Sequence, residues 1–290
     1  MKVIKIDYLT LAIVKNKELK SIETTINKNF EYDVKILDSI LNGTCAPLTE
    51  STDTPNIFGR VELRQNNEIK THYKNNYDVI YKGIKLGLLY WETYGYGNEY
   101  AHFKFFNNVL YNGEWILYKE AFKDLKLLVN HITRIDLAND SNINICKRYL
   151  KIINDTNNEI IINNTLIKDR NKLLESPYFY VRGSLDNPYQ DFTINFISKD
   201  KSLKLIGYNK TNEISEHSHK TYQIKNSFKN ETIYRLEVSI TAKQLNREDF
   251  ETSKLLEDLE TNRYQEKLFD KYLRKLFRYS HPRQPRKTLL

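Results

Sequence analysis

Two segments about a hundred residues apart obey the same strict alternation. In Thr133-Arg-Ile-Asp-Leu-Ala-Asn-Asp140, the side chains of Thr133, Ile135, Leu137 and Asn139 point one way, and Arg134, Asp136, Ala138 and Asp140 point the other. In Tyr234-Arg-Leu-Glu-Val-Ser-Ile240, Tyr234, Leu236, Val238 and Ile240 form an apolar face, opposite Arg235, Glu237 and Ser239. A period of two is that of a β-strand with one face on a core. Each polar face carries basic-x-acidic in the same phase. For either strand alone, the plain reading is a solvated face with ion pairs, Arg134 with Asp136 and Arg235 with Glu237. Two such faces together, with what lies between them, point to a site.

Between them lies Ser202-Leu-Lys-Leu-Ile-Gly-Tyr-Asn-Lys-Thr-Asn-Glu213. Lys204, Ile206, Tyr208 and Lys210 share one face of a third predicted strand, and Tyr208 follows Gly207 near its end. A phenol with a pKa of about 10 is a poor nucleophile at neutral pH. A nearby ammonium and a metal-polarised phosphate make its attack feasible. The chain has 21 tyrosines, so a tyrosine alone carries no signal. Asp136, Asp140 and Glu237 offer hard oxygen ligands suited to Mg²⁺ or Mn²⁺. The arginines Arg134 and Arg235 would orient those ligands and grip phosphate bidentately.

Composition narrows the classes. The 290 residues are 40% hydrophobic, enough for one large core or two fused lobes. Net charge is +8 and the pI near 9.1, which suits nucleic acid or an anionic surface. The abundance of Lys, Asn, Ile and Tyr fits an AT-rich coding bias, so Arg carries more weight than Lys. Two cysteines, Cys45 and Cys146, without a Cys-x-x-Cys spacing, argue against a disulfide framework or a cysteine zinc site. The opening residues do not form a signal peptide, because Lys5 and Asp7 interrupt the apolar run. No run of about 18 apolar residues exists, so no membrane span is expected. Phosphate-binding and nucleophile-elbow glycine motifs are absent, which leaves NTPase, serine hydrolase and Rossmann readings without support.

Along the chain, strands are predicted at 3–13, 58–65, 77–83, 85–94 and 101–110. Helices are predicted at 32–41 and 117–132, the second with Leu117, Ala121, Leu125 and Leu128 on one face. The second half adds a helix at 144–155, strands around 178–184, 191–198 and 202–210, and a helical region from about Ser253 to Tyr279. The fold class is therefore α+β: largely antiparallel sheets with packed helices, two pseudo-repeated ferredoxin-like lobes and a helical C-terminal region. The boundaries expected are 1–250, with lobes at about 1–140 and 141–250, and a basic region at 251–290. From Lys271 onward no acidic residue occurs, and seven cations include Arg274, Arg278, Arg283 and Arg286. With Lys204 they are candidates for phosphate contact. The pair His217 and His219, in a polar loop, is a weaker metal alternative.

The ordered trio "TRIDLAND", "LKLIGYNKTNE" and "YRLEVSI" resembles the signature of the Rep-trans type rolling-circle replication initiators of plasmids and phages. "KIDYLTLAI" resembles their opening strand, so the likeness covers about residues 1 to 245. The resemblance implies a metal-dependent, site-specific nicking and closing endonuclease. Tyr208 would attack one strand of single-stranded or hairpin origin DNA, stay joined to its 5′ end and leave a 3′ hydroxyl for a polymerase. Asp136 and Glu237 would bind Mg²⁺ or Mn²⁺, with Asp140 beside them. Asn209, Lys210 and Glu213 complete the matched motif in supporting roles. A host helicase and polymerase are the partners implied, a homodimer is compatible, and the location expected is the bacterial cytoplasm. The alternative is a non-catalytic origin- or operator-binding protein of the same fold.

Overall fold

The structure is a computed structural model that describes residues 4–15, 56–66, 73–93, 101–174, 176–183, 192–215, 232–281 and 284–287. The helix expected at 32–41, the pair His217 and His219, and Arg283 lie outside the described residues. The chain forms two compact units, one of residues 8–133 and one of residues 1–7 with 134–290. The fold is α+β, and its strand pairs run antiparallel.

In the unit of residues 8–133, strands β1 (Ile4–Lys15, from Tyr8), β2 (Asn56–Phe58), β3 (Val61–Gln65), β4 (Tyr73–Tyr81), β5 (Ile84–Thr93) and β6 (Ala101–Phe105) are ordered β1-β6-β5-β4-β3-β2. The β4–β5 hairpin turns on Lys82 and Gly83, both with positive φ (51° and 80°), the twist that suits a two-residue hairpin. Helices α1 (Asn107–Asn112) and α2 (Tyr118–Asp124) flank a 3₁₀ turn at Glu114–Leu117. Phe103 packs edge-on against Phe105 at 4.8 Å and Phe122 at 5.1 Å, and Trp115 stacks on Tyr118. Two sequence expectations change here. Residues 107–112 are helix, not strand. The helix expected at 117–132 ends at Asp124, because Lys126 turns left-handed (φ 55°) and β7 (Leu127–Ser141) begins with Leu127 buried and Leu128 47% exposed. The two-residue alternation there overrides the helical spacing that Leu125 and Leu128 also satisfy.

The other unit holds the C-terminal part of β7, α3 (Ile145–Asn154), β8 (Glu159–Ile162), β9 (Thr165–Ile167), α4 (Arg170–Leu174), β10 (Phe179–Arg182), β11 (Thr193–Ile197), β12 (Leu203–Asn209), α5 (Lys210–Glu213) and β13 (Tyr234–Thr241). Helices α6 (Ala242–Asn246), α7 (Thr252–Asp258) and α8 (Asn262–Leu276) and strands β14 (Phe277–His281) and β15 (Gln284–Lys287) follow. One sheet is ordered β10-β11-β12-β13-β7-β1 within this unit, and a second β15-β14-β8-β9. Helices α3 and α8 cover β12 and β13. Leu205, Leu236, Val238, Ile135 and Leu137 are all buried on these strands. Gly207 is required there, since a Cβ would lie 2.9 Å from Ile194 Cγ1. The β8–β9 hairpin was not foreseen, although its turn residues Asn163 and Asn164, both left-handed at 52° and 61°, are the turn chemistry that signals one.

The C-terminal basic run is not a free arm. The helical region expected to reach Tyr279 stops at Leu276, and Phe277–His281 pairs with β8. Among the described residues no helix is long and apolar enough to cross a membrane.

Candidate functional site

Strand register brings the three polar faces together. In β13 and β7, Arg235 lies opposite Asp140, Glu237 opposite Ala138 and Ser239 opposite Asp136. In β12 and β13, Lys204 lies opposite Ser239, Ile206 opposite Glu237 and Tyr208 opposite Arg235. Opposite residues share a sheet face, so Arg134, Asp136, Asp140, Lys204, Tyr208 and Glu237 form one polar surface. A cleft of about 650 Å³ opens over it, lined by Arg134, Arg182, Asn195, Lys204, Tyr208 and Glu237 among others.

The ion pairs differ in part from those expected. Arg134 does pair with Asp136, its Nε and Nη2 donating to Oδ1 at 2.8 Å and Oδ2 at 2.6 Å, and Nε also reaches Ser239 Oγ at 3.1 Å. Arg235 does not pair with Glu237. Its Nε and Nη2 donate to the two carboxylate oxygens of Asp140, both at 2.7 Å, and its Nη1 to Asp7 Oδ1 at 2.5 Å. The reason is register: Asp140 stands directly across from Arg235, nearer than the next same-face residue along its own strand. Arg235 has no exposed surface, so it clamps two aspartates and is not presented to a ligand. Asp7 is the residue that sequence reasoning missed; the one acid in the opening strand, with apolar residues on both sides of it, was its signal.

Glu237 keeps no ion-pair partner among the described residues and instead accepts the hydroxyl hydrogen of Tyr208 on Oε2 at 3.3 Å. Desolvation, then repulsion from Asp136 and Asp7, pushes its carboxyl up to about 7, against the pull of Arg235 and Arg134. Burial likewise raises Asp136 despite Arg134. Burial, followed by the charge of Glu237, raises the Tyr208 phenol far above its ordinary range, so in the free protein it is a neutral hydrogen-bond donor.

The third strand ends one residue early. Asn209 caps α5, its side chain accepting from Asn212 N at 3.1 Å, and this carries Lys210 off the strand face. Lys210 is buried, its Nζ 2.5 Å from Glu213 Oε2 and 5.7 Å from the centre of the Tyr208 ring. It lies over the ring and is held by Glu213. Of the cations considered for phosphate contact, Lys204 lines the cleft and Arg274 is exposed on α8. Arg278 on β14 donates to Asn164 Oδ1 at 3.0 Å, and Arg286 falls in β15. Lys271 and Lys275 of the same run are paired with Glu248.

The carboxylates fit a hard divalent cation in a limited way. Both oxygens of Asp140 are engaged by Arg235 and both oxygens of Asp136 by Arg134, and among the described residues no three His, Cys, Asp or Glu side chains converge as a ligand set. Glu237, raised by burial and by two neighbouring acids, is the group a cation would most relieve, with Asp136 next to it in charge. Mg²⁺ is commonly held by one or two carboxylates, with waters and substrate phosphates filling its other positions.

The sequence matches no protein-family model and no curated protein. The structure is similar to that of a rolling-circle replication initiator protein from Geobacillus stearothermophilus, with 12% identity and a TM-score of 0.48, over 98% of this chain and 89% of that one.

Proposed function

We propose that this chain initiates rolling-circle DNA replication, by nicking one strand through Tyr208 and later rejoining it. The observation that carries the reading is a phenol hydrogen-bonded to a carboxylate with no ion-pair partner among the described residues, Tyr208 on Glu237, in a cleft with cations along its wall. The ordered motifs around Arg134, Tyr208 and Arg235 support it. Without a cation Glu237 holds the Tyr208 hydroxyl in a hydrogen bond; in the reaction the phenol proton leaves to solvent as the Tyr208 oxygen forms a bond to phosphorus. The bond from phosphorus to the 3′ oxygen breaks, and that oxygen takes a proton from solvent. The product is a 5′-phosphotyrosine and a free 3′ hydroxyl, and the reverse step rejoins the strand. Asp136 and Glu237 would hold Mg²⁺ or Mn²⁺, which withdraws charge from the phosphoryl oxygens and favours an ionised phenol. Arg134 keeps Asp136 oriented, and Arg235 keeps Asp7 and Asp140 neutralised beside it. Unpaired or hairpin DNA is the substrate class, because a phosphate in a stable duplex is harder to seat in a cleft.

The strongly raised phenol favours a second reading, a DNA-binding protein that makes no covalent bond. One experiment separates them. Single-stranded DNA of random sequence, labelled at its 3′ end so that the label stays with the 5′-linked fragment, is incubated with protein and Mn²⁺ and resolved under denaturing conditions. A protein–DNA adduct that survives denaturation and disappears in Tyr208→Phe establishes the nicking reading; DNA binding without any adduct establishes the other.

A further inference from the structure

The cleft beside Tyr208 contains a donor that the proposed reaction has not yet used. Asn195 on β11 is 1% exposed and lines the cleft, yet among the described residues its amide Nδ2 has no hydrogen-bond partner. Buried amides are nearly always paired, so an unpaired donor at the floor of a cleft, on the strand face that lines it, points to a ligand that completes it. Register fixes its place. Asn195 lies opposite Ile206, which lies opposite Glu237, so it sits one pleat from both Tyr208 and Lys204 on β12. On the far side, β10 sets Tyr180 opposite Asn195 and Arg182 opposite Thr193. Arg182 rests over the Tyr180 ring at 5.3 Å, and neither Arg182 nor Lys204 has an ion-pair partner among the described residues. Burial lowers the Lys204 ammonium, Glu237 and Asp136 pull it back up, and Arg182 and Arg134 lower it, so Lys204 and Arg182 add unpaired positive charge beside the Arg134–Asp136 pair. Mutually repelling cations and an open amide donor are complementary to an anion with several acceptor oxygens.

We infer that Asn195, Lys204 and Arg182 form the phosphate-binding subsite of this cleft, with Asn195 Nδ2 donating to a non-bridging oxygen of the DNA phosphodiester that Tyr208 attacks. The inference deepens the proposed nicking function and rests on it for the identity of the attacked phosphate. Lys204 and Arg182 supply charge that draws the backbone in. Asn195 supplies a fixed dipole where negative charge grows in the transition state, so it acts on rate more than on affinity.

The test has two arms. In the first, single-turnover adduct formation on the random-sequence DNA is measured at saturating DNA for the wild type, Asn195→Ala and Asn195→Asp. Loss of one such donor lowers rates by about 10²-fold or more; Asn195→Ala is expected to do so, and Asn195→Asp, which faces the phosphate with a charge, to be slower still. In the second, binding of labelled (dT)₂₀ is followed against salt in a Tyr208→Phe background, where no chemistry occurs. Lys204→Gln and Arg182→Gln should each flatten the slope of log K against log salt by about 0.7, while Asn195→Ala changes affinity by less than about threefold. A methylphosphonate (dT)₂₀, which lacks the charge, should bind all variants equally weakly. Asn195→Ala at the wild-type adduct rate overturns the role of Asn195. If the wild type makes no adduct, the nicking reading fails, and the binding arm still decides the subsite. Flattened slopes retain it, and unchanged slopes in both variants overturn it. Melting curves of each variant identify loss of folding, and should Asn195→Ala not fold, the Asn195→Asp rate and the two cation variants carry the decision.

Discussion

Replacing Arg235 by Met tests whether this guanidinium is a clamp within the fold or a group offered to a phosphate. Met keeps much of the volume and the unbranched stem but removes the charge and the donors. In the native chain Arg235 is fully buried and holds Asp140 through two bonds of 2.7 Å and Asp7 through one of 2.5 Å. Its loss leaves those two carboxylates uncompensated beside Asp136 and Glu237, with Arg134 already engaged. Breaking a buried pair by removing one partner costs about 3–5 kcal/mol. Asp140 and Asp7 retain 23% and 14% of their side-chain exposure, so water recovers part of the loss, and the low end, about 3 kcal/mol, applies. At about 2–4 °C per kcal/mol for a chain of this size, the melting temperature should fall by roughly 6–12 °C. Adding Asp140→Asn to Arg235→Met should restore part of that loss, because the charge left behind is removed as well. Differential scanning calorimetry of the wild type, both single variants and the double variant completes the cycle. An Arg235→Met protein that melts with the wild type yet forms no DNA adduct would refute the clamp and return Arg235 to the substrate.

Three further outcomes follow from the same geometry. Tyr208→Phe should abolish the adduct while shifting the stability by no more than about 1 kcal/mol, since it deletes a single long hydrogen bond, and calorimetry with gel analysis reads both. The Glu237 carboxyl is raised from 4.5 to about 7 in the folded chain, so the folded state binds its proton more tightly than the unfolded state and stability falls as pH rises from about 4.5 to 7. In EDTA, Glu237→Gln should flatten that part of the curve of melting temperature against pH, and Mn²⁺ should stabilise the wild type at pH 8 but not the variant; parallel curves would contradict the placement of Glu237 among Asp136 and Asp7. Asp200 ties the β11–β12 loop. Burial pushes its carboxyl up, but Ser198 Oγ at 2.7 Å, Ser202 Oγ at 2.8 Å, Ser202 N at 3.2 Å and Arg247 hold it below the ordinary range. Its stabilisation is therefore complete above about pH 4 and is lost only as pH falls through the depressed value of the folded chain, so Asp200→Ala should cost about 1–3 kcal/mol in urea unfolding at pH 7 and a reduced but still measurable amount at pH 3.

The three strands that carry the polar surface were legible in the sequence, because a period of two needs only neighbouring residues to express it. Alternation assigned Arg134, Asp136 and Asp140 to one face of their strand and Arg235, Glu237 and Ser239 to one face of theirs, and it opposed each set to an apolar face that could only go inward. The motif spacing likewise placed Tyr208 near the end of a strand. What alternation cannot carry is which strand lies beside which, and in what register. Those depend on contacts between residues far apart in the chain. Register gave Arg235 to Asp140 and not to Glu237, and it left Glu237 to Tyr208. The opening strand brought in Asp7, whose partner Arg235 is more than two hundred residues away. Local conformation decided the rest: a left-handed Lys126 turned an expected helix into strand, and the Asn209 cap lifted Lys210 off the sheet to Glu213. The open amide of Asn195 is the extreme case. Its sequence neighbours Ile194 and Phe196 are buried apolar residues that mark only a strand, and a donor without a partner exists only once every other group in the cleft has taken its place.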